Sequence, residues 1–393
     1  MRRLALITLL LWPAPAAADW PDAIGPFTVG DDAASLRLSG MAQLQLDVER
    51  PGEPALRVRR LRPIARASFA GGLLGATAHL ELAPGQAELI DLFVEARLDP
   101  ALHLRAGQLK VPYTVYRQQS PTRLALVDWP VTSRWFGAER QLGVTATGAL
   151  GPVGYAFGAF AGENRRAAHA RELPAFYGED ATNPSRLSDL GAPESPHLEL
   201  FARLEHAHPD LDPTSQMDAR GGELRHLVAA SVAWDTAPTA RRDLLLRVAP
   251  ELWVQAHGLS LTLVGHLALF EDATGAPRPA GMGALAELGW HAHRHVELTL
   301  RVARVDLTAA LRGDAARHAA RLEPRDADAH AAWEAQYGDA GTLRATQEVA
   351  LGVNVLVIGR SLAWRSDVAW LRVERTDGAR DALRFRTQLS LAF

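Results

Sequence analysis

The chain of 393 residues has no cysteine, one lysine and no apolar run long enough to cross a bilayer as a helix. Without cysteine there is neither a disulfide framework nor a thiolate metal site. The longest uncharged stretch, residues 144–162, is interrupted by Gly151-Pro152. A helix does not run through that pair, whereas two strands joined by a tight turn do. Enzyme signatures are also missing: there is no Gly-x-Ser-x-Gly elbow, no Walker loop and no His-Glu-x-x-His. No catalytic, cofactor-binding or metal-binding residue is therefore expected. The His-rich run His291, His293 and His295 falls at an expected short turn, where solvated polar residues are ordinary.

The balance of 42 basic and 45 acidic residues gives no reason to expect nucleic acid binding. Residues 1–18 read as a secretory signal: Arg2 and Arg3, an apolar stretch from Leu4 to Trp12, then Ala16-Ala17-Ala18. Loss of that leader leaves 40 basic and 45 acidic residues, a net charge of −5. Residues 19–34 are expected to form a short periplasmic N-terminal segment, and residues 35–393 the membrane domain.

The dominant pattern in that domain is alternation. In Asp381–Phe393 one face carries Leu383, Phe385, Thr387, Leu389, Leu391 and Phe393, and the other Ala382, Arg384, Arg386, Gln388 and Ser390. Period two is the signature of a strand with one apolar face. The same pattern predicts sixteen strands near residues 35–49, 55–70, 74–83, 87–98, 102–115, 140–150, 153–162, 196–206, 225–235, 242–256, 259–270, 281–292, 295–306, 343–358, 361–375 and 381–393. Most are long enough to cross a bilayer when tilted. Links after even-numbered strands are mostly short, and several after odd-numbered strands are long, at 116–139, 163–195, 271–280 and 307–342. The link at 207–224 is long where a short one is due. The expected fold is all-β: a 16-stranded antiparallel transmembrane β-barrel with short periplasmic turns and long extracellular loops. Its outer face of Leu, Val and Ala meets outer-membrane lipid. Trp234, Trp253, Trp290, Trp364 and Trp370 are candidates for interfacial belts. Phe93, Phe201 and Trp253 fall on the polar face and fit this assignment poorly. A soluble sandwich alternates too, but sixteen long strands with charges on the inner face do not suit a packed core.

The second strand concentrates positive charge in Arg57, Arg59, Arg60, Arg62 and Arg66. Arginine at mid-bilayer on the lipid face costs about 2–4 kcal/mol, so strict alternation turns Arg60, Arg62 and Arg66 to the lumen. Arg57 and Arg59 break phase, as at a loop end or a bulge. Guanidinium groups fork onto oxyanions, so the row reads as an anion path. Pairing with acids such as Asp91 and Glu95 is the structural alternative. The loop after the fifth strand carries Trp129 and Trp135 with Arg117, Arg123 and Arg134. Folding into the barrel would bury its apolar residues and narrow the pore; packing outside against a neighbouring copy is the other reading.

Four stretches in order carry a family resemblance: Arg57–Arg62 (RVRRLR), Leu89–Leu98 (LIDLFVEARL), Leu104–Tyr113 (LRAGQLKVPY) and the hairpin from Glu139 to Asn164. Over about residues 54–164 the chain resembles the phosphate-selective porins O and P. The resemblance implies a 16-stranded, homotrimeric outer-membrane channel that passes small anions such as phosphate, without a cofactor. Carried over by position, it implicates Arg59, Arg60, Asp91 and Lys110. With the alternation and the loop, the candidate anion-binding and pore-lining residues are Arg59, Arg60, Arg62, Arg66, Asp91, Lys110, Arg123 and Arg134. Alternation puts Lys110 on the lumen side with Gln108, and Leu109, Val111 and Tyr113 on the other. The family's phosphate-specific members use several lysines and this chain has one, so phosphate itself is the weaker part of the expectation. A structural or ligand-binding outer-membrane barrel without anion selectivity is the competing reading.

Overall fold

The computed structural model describes residues 24–50, 54–83, 87–138, 140–161, 198–212, 215–236, 245–271, 276–308 and 343–393, with only the main chain at 134–135, 270–271 and 343. The signal segment 1–18 and most of the links 163–195 and 307–342 lie outside these residues.

Seventeen strands form, in chain order: β1 Phe27–Gly30, β2 Ala34–Arg50, β3 Ala55–Phe69, β4 Leu74–Glu81, β5 Glu88–Asp99, β6 Leu102–Lys110, β7 Arg140–Leu150, β8 Val153–Phe160, β9 Glu199–Ala207, β10 Arg225–Asp235, β11 Leu246–Ala256, β12 Leu259–Glu271, β13 Pro277–His293, β14 Val296–Leu307, β15 Leu343–Ile358, β16 Leu362–Arg375 and β17 Gly378–Ala392. Sixteen of them, β2 to β17, pair antiparallel in sequence, and β17 returns to β2 to close the barrel. Closure leaves no unpaired edge within the bilayer, where unsatisfied backbone groups are costly. The extra strand β1, inside the segment expected to precede the barrel, pairs Phe27–Gly30 with Ser35–Leu38 of β2. Phe393 bonds reciprocally with Gly40 just beyond that hairpin.

Alternation sets the two faces. Leu351, Val368 and Phe385 stand in register on β15, β16 and β17 and are exposed outward, as are Leu92, Val94, Leu142 and Val144. So large an apolar exterior is a lipid-facing surface. Trp290 and Trp364 lie outward near the short-turn rim and Trp234 outward near the opposite rim. Trp253, by contrast, is a correction: it is buried inside. The barrel is of the outer-membrane type, with the short turns on the periplasmic rim.

Two links depart from the expected layout. The sixth strand ends at Lys110, five residues early, and the chain turns inward, so the loop starts at Val111. Leu109, Val111 and Tyr113, expected on the outer face, pack instead with Phe160, Phe201, Ala233 and Ala249 inside the barrel. Val111 and Tyr113 lie beyond the sheet, where period two no longer dictates which way a side chain points, while Leu109 is buried although still paired with Gln141 in β6. The link 272–276 is also shorter than expected.

An arginine placed at the centre of the outer band tests this assignment. Leu351→Arg is expected to lower folding stability in lipid vesicles by about 2–4 kcal/mol in a urea titration. A conservative Leu351→Val change is expected to leave it within about 1 kcal/mol.

Candidate functional site

Residues 111–138 run inside the barrel as a short helix α1, Val115–Gln118, a 3-10 turn at Pro121–Arg123 and a second helix α2, Val131–Phe136. Their apolar side chains Tyr116, Leu124, Leu126, Val131 and Phe136 pack on an inner wall of Val264, Ala268, Leu285, Ala303, Val305, Ala350, Ala369 and Leu371. These wall residues lie in the half of β12–β16 nearer the long loops. Glycine makes the approach possible: a Cβ at Gly283 would stand 2.7 Å from Cε2 of Phe136, and one at Gly352 closer still to Leu126.

Polar residues of the inner wall, on these strands and on β9 and β11, satisfy the loop's main chain. Asp367 accepts from Val127 N (3.1 Å), Glu348 from Val131 N (3.1 Å) and Glu251 from Val115 N (2.9 Å). In the other direction Arg301 donates to Asp128 O (2.9 Å), Asn354 to Ala125 O (3.0 Å), and Arg365 to Pro121 O (2.8 Å) and Thr122 O. Arg203 donates to Tyr113 O at 3.2 Å. The inner wall is therefore mixed: apolar where the loop's side chains dock, charged where its backbone needs partners.

The long link at 207–224 also turns inward, from the periplasmic rim. Met217 and Gln216 are buried, and Gln216 Oε1 accepts from Ala125 N of the loop. Asp218 pairs with Arg225 and accepts from Gly258 N at 2.8 Å, anchoring the link. Arg123 stands 3.7 Å from Asp212 across the same junction. Segments from both rims thus meet inside the barrel.

Opposite the docked loop stands the arginine strand. The register slips between Gln43 and Leu44, so that Gln43 pairs with Arg60 and Leu44 with Val58, and Arg59 is the extra residue of a bulge. The bulge resolves the broken phase: Val58 and Leu61 face lipid, while Arg57, Arg59, Arg60 and Arg62 all engage inward partners. Arg62 bonds Glu81 at 2.5 Å and Arg57 pairs with Asp47 at 3.0 Å. Arg60 is buried, donates to Gln43 Oε1 at 2.8 Å, and lies over the Trp129 ring at 5.0 Å. Arg66 is exposed and donates to Ser39 Oγ at 3.0 Å. Both Arg59 (3.6 Å) and Arg60 (3.4 Å) reach Asp128 of the loop, and Arg386 of β17 approaches it to 3.9 Å.

The other candidate positions fall into separate groups. Asp91 is held by Arg140 (2.6 Å) and His79 (2.8 Å), and Glu95 by Arg97 (2.6 Å) and Arg105 (3.2 Å). The named acid partners of the β3 guanidinium groups are thus Asp47, Glu81 and Asp128, where Asp91 and Glu95 had been expected. Lys110 Nζ donates to Gln119 O at 2.9 Å, so the lone lysine ties the end of β6 to the loop. The side chain of Arg134 lies outside the described residues. Asp128, Arg386 and Asp367 escaped the sequence reading. The one available signal was Asp128 itself, a single acid within the apolar run from Leu124 to Pro130. Among the described residues no metal-holding cluster of His, Asp or Glu is found.

No protein-family model and no curated protein matches the chain. Solved structures do. The outer membrane channel DcaP of Acinetobacter baumannii aligns with a TM-score of 0.57 at 10% identity, over 94% of this chain and 100% of that one. An anion-selective porin from Comamonas acidovorans aligns with a TM-score of 0.56 at 10% identity, over 92% and 100%. OprB of Pseudomonas putida aligns with a TM-score of 0.55 at 9% identity, over 92% and 94%. The shared feature is the fold, that of Gram-negative outer-membrane porins.

The docking of the loop is testable through Asp367, which accepts from Val127 N and receives two bonds from Arg386, at 2.9 and 2.7 Å. Asp367→Ala leaves a buried guanidinium short of its acid, a loss of about 3–5 kcal/mol. The expected result is an intact barrel whose 111–138 segment becomes open to added protease, with cleavage mapped by mass spectrometry.

Proposed function

We propose that the protein is a passive outer-membrane channel for small anions, driven by the solute gradient and working without a cofactor or a chemical step. The observation that carries this reading is the convergence of Arg59, Arg60 and Arg386 at the level where the inward loop crosses the lumen. Three guanidinium groups meet the one loop carboxylate, Asp128, at this level. The solute class follows from guanidinium chemistry: planar, permanently charged forks match small oxyanions, phosphate among them. A net charge of −3 gives the chain no overall pull on anions, so selectivity rests on this local field. The motif resemblance to the phosphate-selective porins O and P points the same way and adds a homotrimer.

A second reading has its own observation. Ala125 of the loop and Gln216 of the periplasmic link touch inside the barrel, and Arg247, Arg301 and Arg365 are almost wholly buried around these segments. A barrel filled in this way could serve as a closed scaffold that binds partners at its surface.

Planar-bilayer recording separates the two. The channel reading expects discrete conductance steps and a reversal potential on the chloride side in a KCl gradient. Arg60→Ala is expected to move that potential toward zero, and Lys110→Ala to change the step size by freeing one end of the loop. A wild-type barrel that folds and inserts but gives no steps favours the closed scaffold, and lasting cation preference rules out the anion channel.

A further inference from the structure

Along β3 every arginine but the last has an acid. Arg57 pairs with Asp47 at 3.0 Å, Arg59 and Arg60 with Asp128 at 3.6 and 3.4 Å, and Arg62 with Glu81 at 2.5 Å. Arg66, nearest the short-turn rim, has no acid partner among the described residues and donates instead to Ser39 Oγ at 3.0 Å. What stands beside it is another cation. Arg37 of β2 lies directly opposite Arg66 in the register and on the same face of the sheet. Its side chain has neither an ion pair nor a hydrogen bond among the described residues, and both arginines are exposed.

Two like charges directly opposite each other on neighbouring strands repel and cost stability. The carboxylates of the adjoining wall do not relieve this pair, because they are already engaged. Glu95 is taken by Arg97 and Arg105, and Asp91 by Arg140 and His79. The surroundings offer further donors instead. β1 sets Thr28 beside Arg37, Ser39 already bonds Arg66, and Ser35 and Ser68 oppose each other as the next pair on that face. Leu36 and Leu38 take the other face and are exposed to lipid, so the arginine pair faces the lumen side. It stands at the periplasmic mouth, since β17 stops at Ala392 opposite Met41 and β2 runs on past it to Arg37. Two exposed guanidinium groups with hydroxyls around them and no acid between them form a site for an anion from solution.

We infer that Arg37 and Arg66 form an anion station at the periplasmic mouth: a small dissolved oxyanion binds between the two guanidinium groups, with the hydroxyls of Thr28, Ser39 and Ser68 as further donors. The station is separate from the charge cluster at Asp128. It deepens the anion-channel reading and rests on it for the passage of the anion, though not for its binding. The position gives the site a direction. From the short-turn side it is reached at once, and from the long-loop side only through the space that the inward loop crosses. An anion leaving the lumen is handed to cations that no carboxylate compensates, and one arriving from the periplasm meets the same pair first.

Inorganic phosphate is the probe. It is added to KCl as a blocker of the chloride current through single channels in planar bilayers, first in one chamber and then in the other. Wild type, Arg37→Ala and Arg37→Lys are compared, with heat-modifiable migration on gels as the check that each barrel is folded. In wild type the half-blocking concentrations from the two sides are expected to differ. Arg37→Ala is expected to raise the lower of them about tenfold and so bring the two together. Arg37→Lys, which keeps the charge but not the fork, is expected to raise it less. A second readout needs no current: phosphate is expected to raise the urea midpoint of the wild-type barrel in lipid vesicles more than that of Arg37→Ala. If the alanine variant does not fold, Arg37→Gln is read in the same way. An anion-selective wild type whose block and midpoint rise are unchanged in Arg37→Ala overturns the station and leaves the channel reading standing. A wild type without anion preference whose midpoint rise still depends on Arg37 removes that reading and keeps the station.

Discussion

Twenty-eight residues of main chain, from Val111 to Ala138, cross a space enclosed by sheet, and their N–H and C=O groups must find partners there. The inner wall supplies them from long side chains: Glu251, Asp367 and Glu348 accept, and Arg203, Arg301, Arg365 and Asn354 donate. Nearly everything else inside the barrel follows from this requirement. It explains why so many charged residues of the wall are buried, and why their distribution is uneven: they gather where the loop's backbone passes. It also explains the apolar residues among them, since the side chains of the same loop need somewhere to go. A lumen shaped only for water and solute would need no Leu285, Val305 or Leu371 pointing inward.

This requirement divides the arginines into two kinds. Arg301 and Arg365 serve the loop's carbonyls and are engaged in holding the structure. Arg59 and Arg60 lie on the opposite wall and meet the loop at the Asp128 carboxylate and the Trp129 ring. A burial penalty of several kcal/mol attends any charge withdrawn from water, and it is offset for the first kind by short bonds to loop and wall. For the second kind the contacts to Asp128 are longer, at 3.4 and 3.6 Å. Net composition does not reveal this division, because a guanidinium counts the same in either role.

How much of this could be read from the sequence differs between the sheet and what lies within it. The barrel strands were legible because the bilayer enforces one rule at every position: apolar outward, anything else inward. Val228, Val232 and Trp234 on one side of β10, with Arg225, Ser231 and Asp235 on the other, show that rule at work. The inward loop obeys no period, so the alternation that predicts outward positions for Val111 and Tyr113 has already ended there, and at Leu109, still paired in β6, packing inside the barrel overrides it. Phe93, Phe201 and Trp253 looked like faults in the pattern because they sit on the polar face. They are inner-wall contacts of the loop and of the periplasmic link, and they were the sequence's own mark of a lumen with packed contents. The candidate site divides likewise. Arg60 and Arg62 followed from phase alone, Arg59 required the bulge, and the partnership with Asp128 required the path of the loop.

The lone lysine shows how position and chemistry combine. Lys110 falls where the resemblance implicates an anion ligand, yet its ammonium bonds the carbonyl of Gln119 at the point where β6 gives way to the loop. An ammonium is a compact point donor and suits a single carbonyl, whereas Arg140 and Arg386 each reach a carboxylate with two nitrogens. The bond closes a short span of chain, Lys110 to Gln119, that contains α1. From there the loop runs through Leu124 and Leu126 to Asp128. A shift of Gln119 is passed along this span to the carboxylate between Arg59 and Arg60. Lys110 therefore bears on the proposed anion path through the loop's position, several residues away from the charge cluster at Asp128.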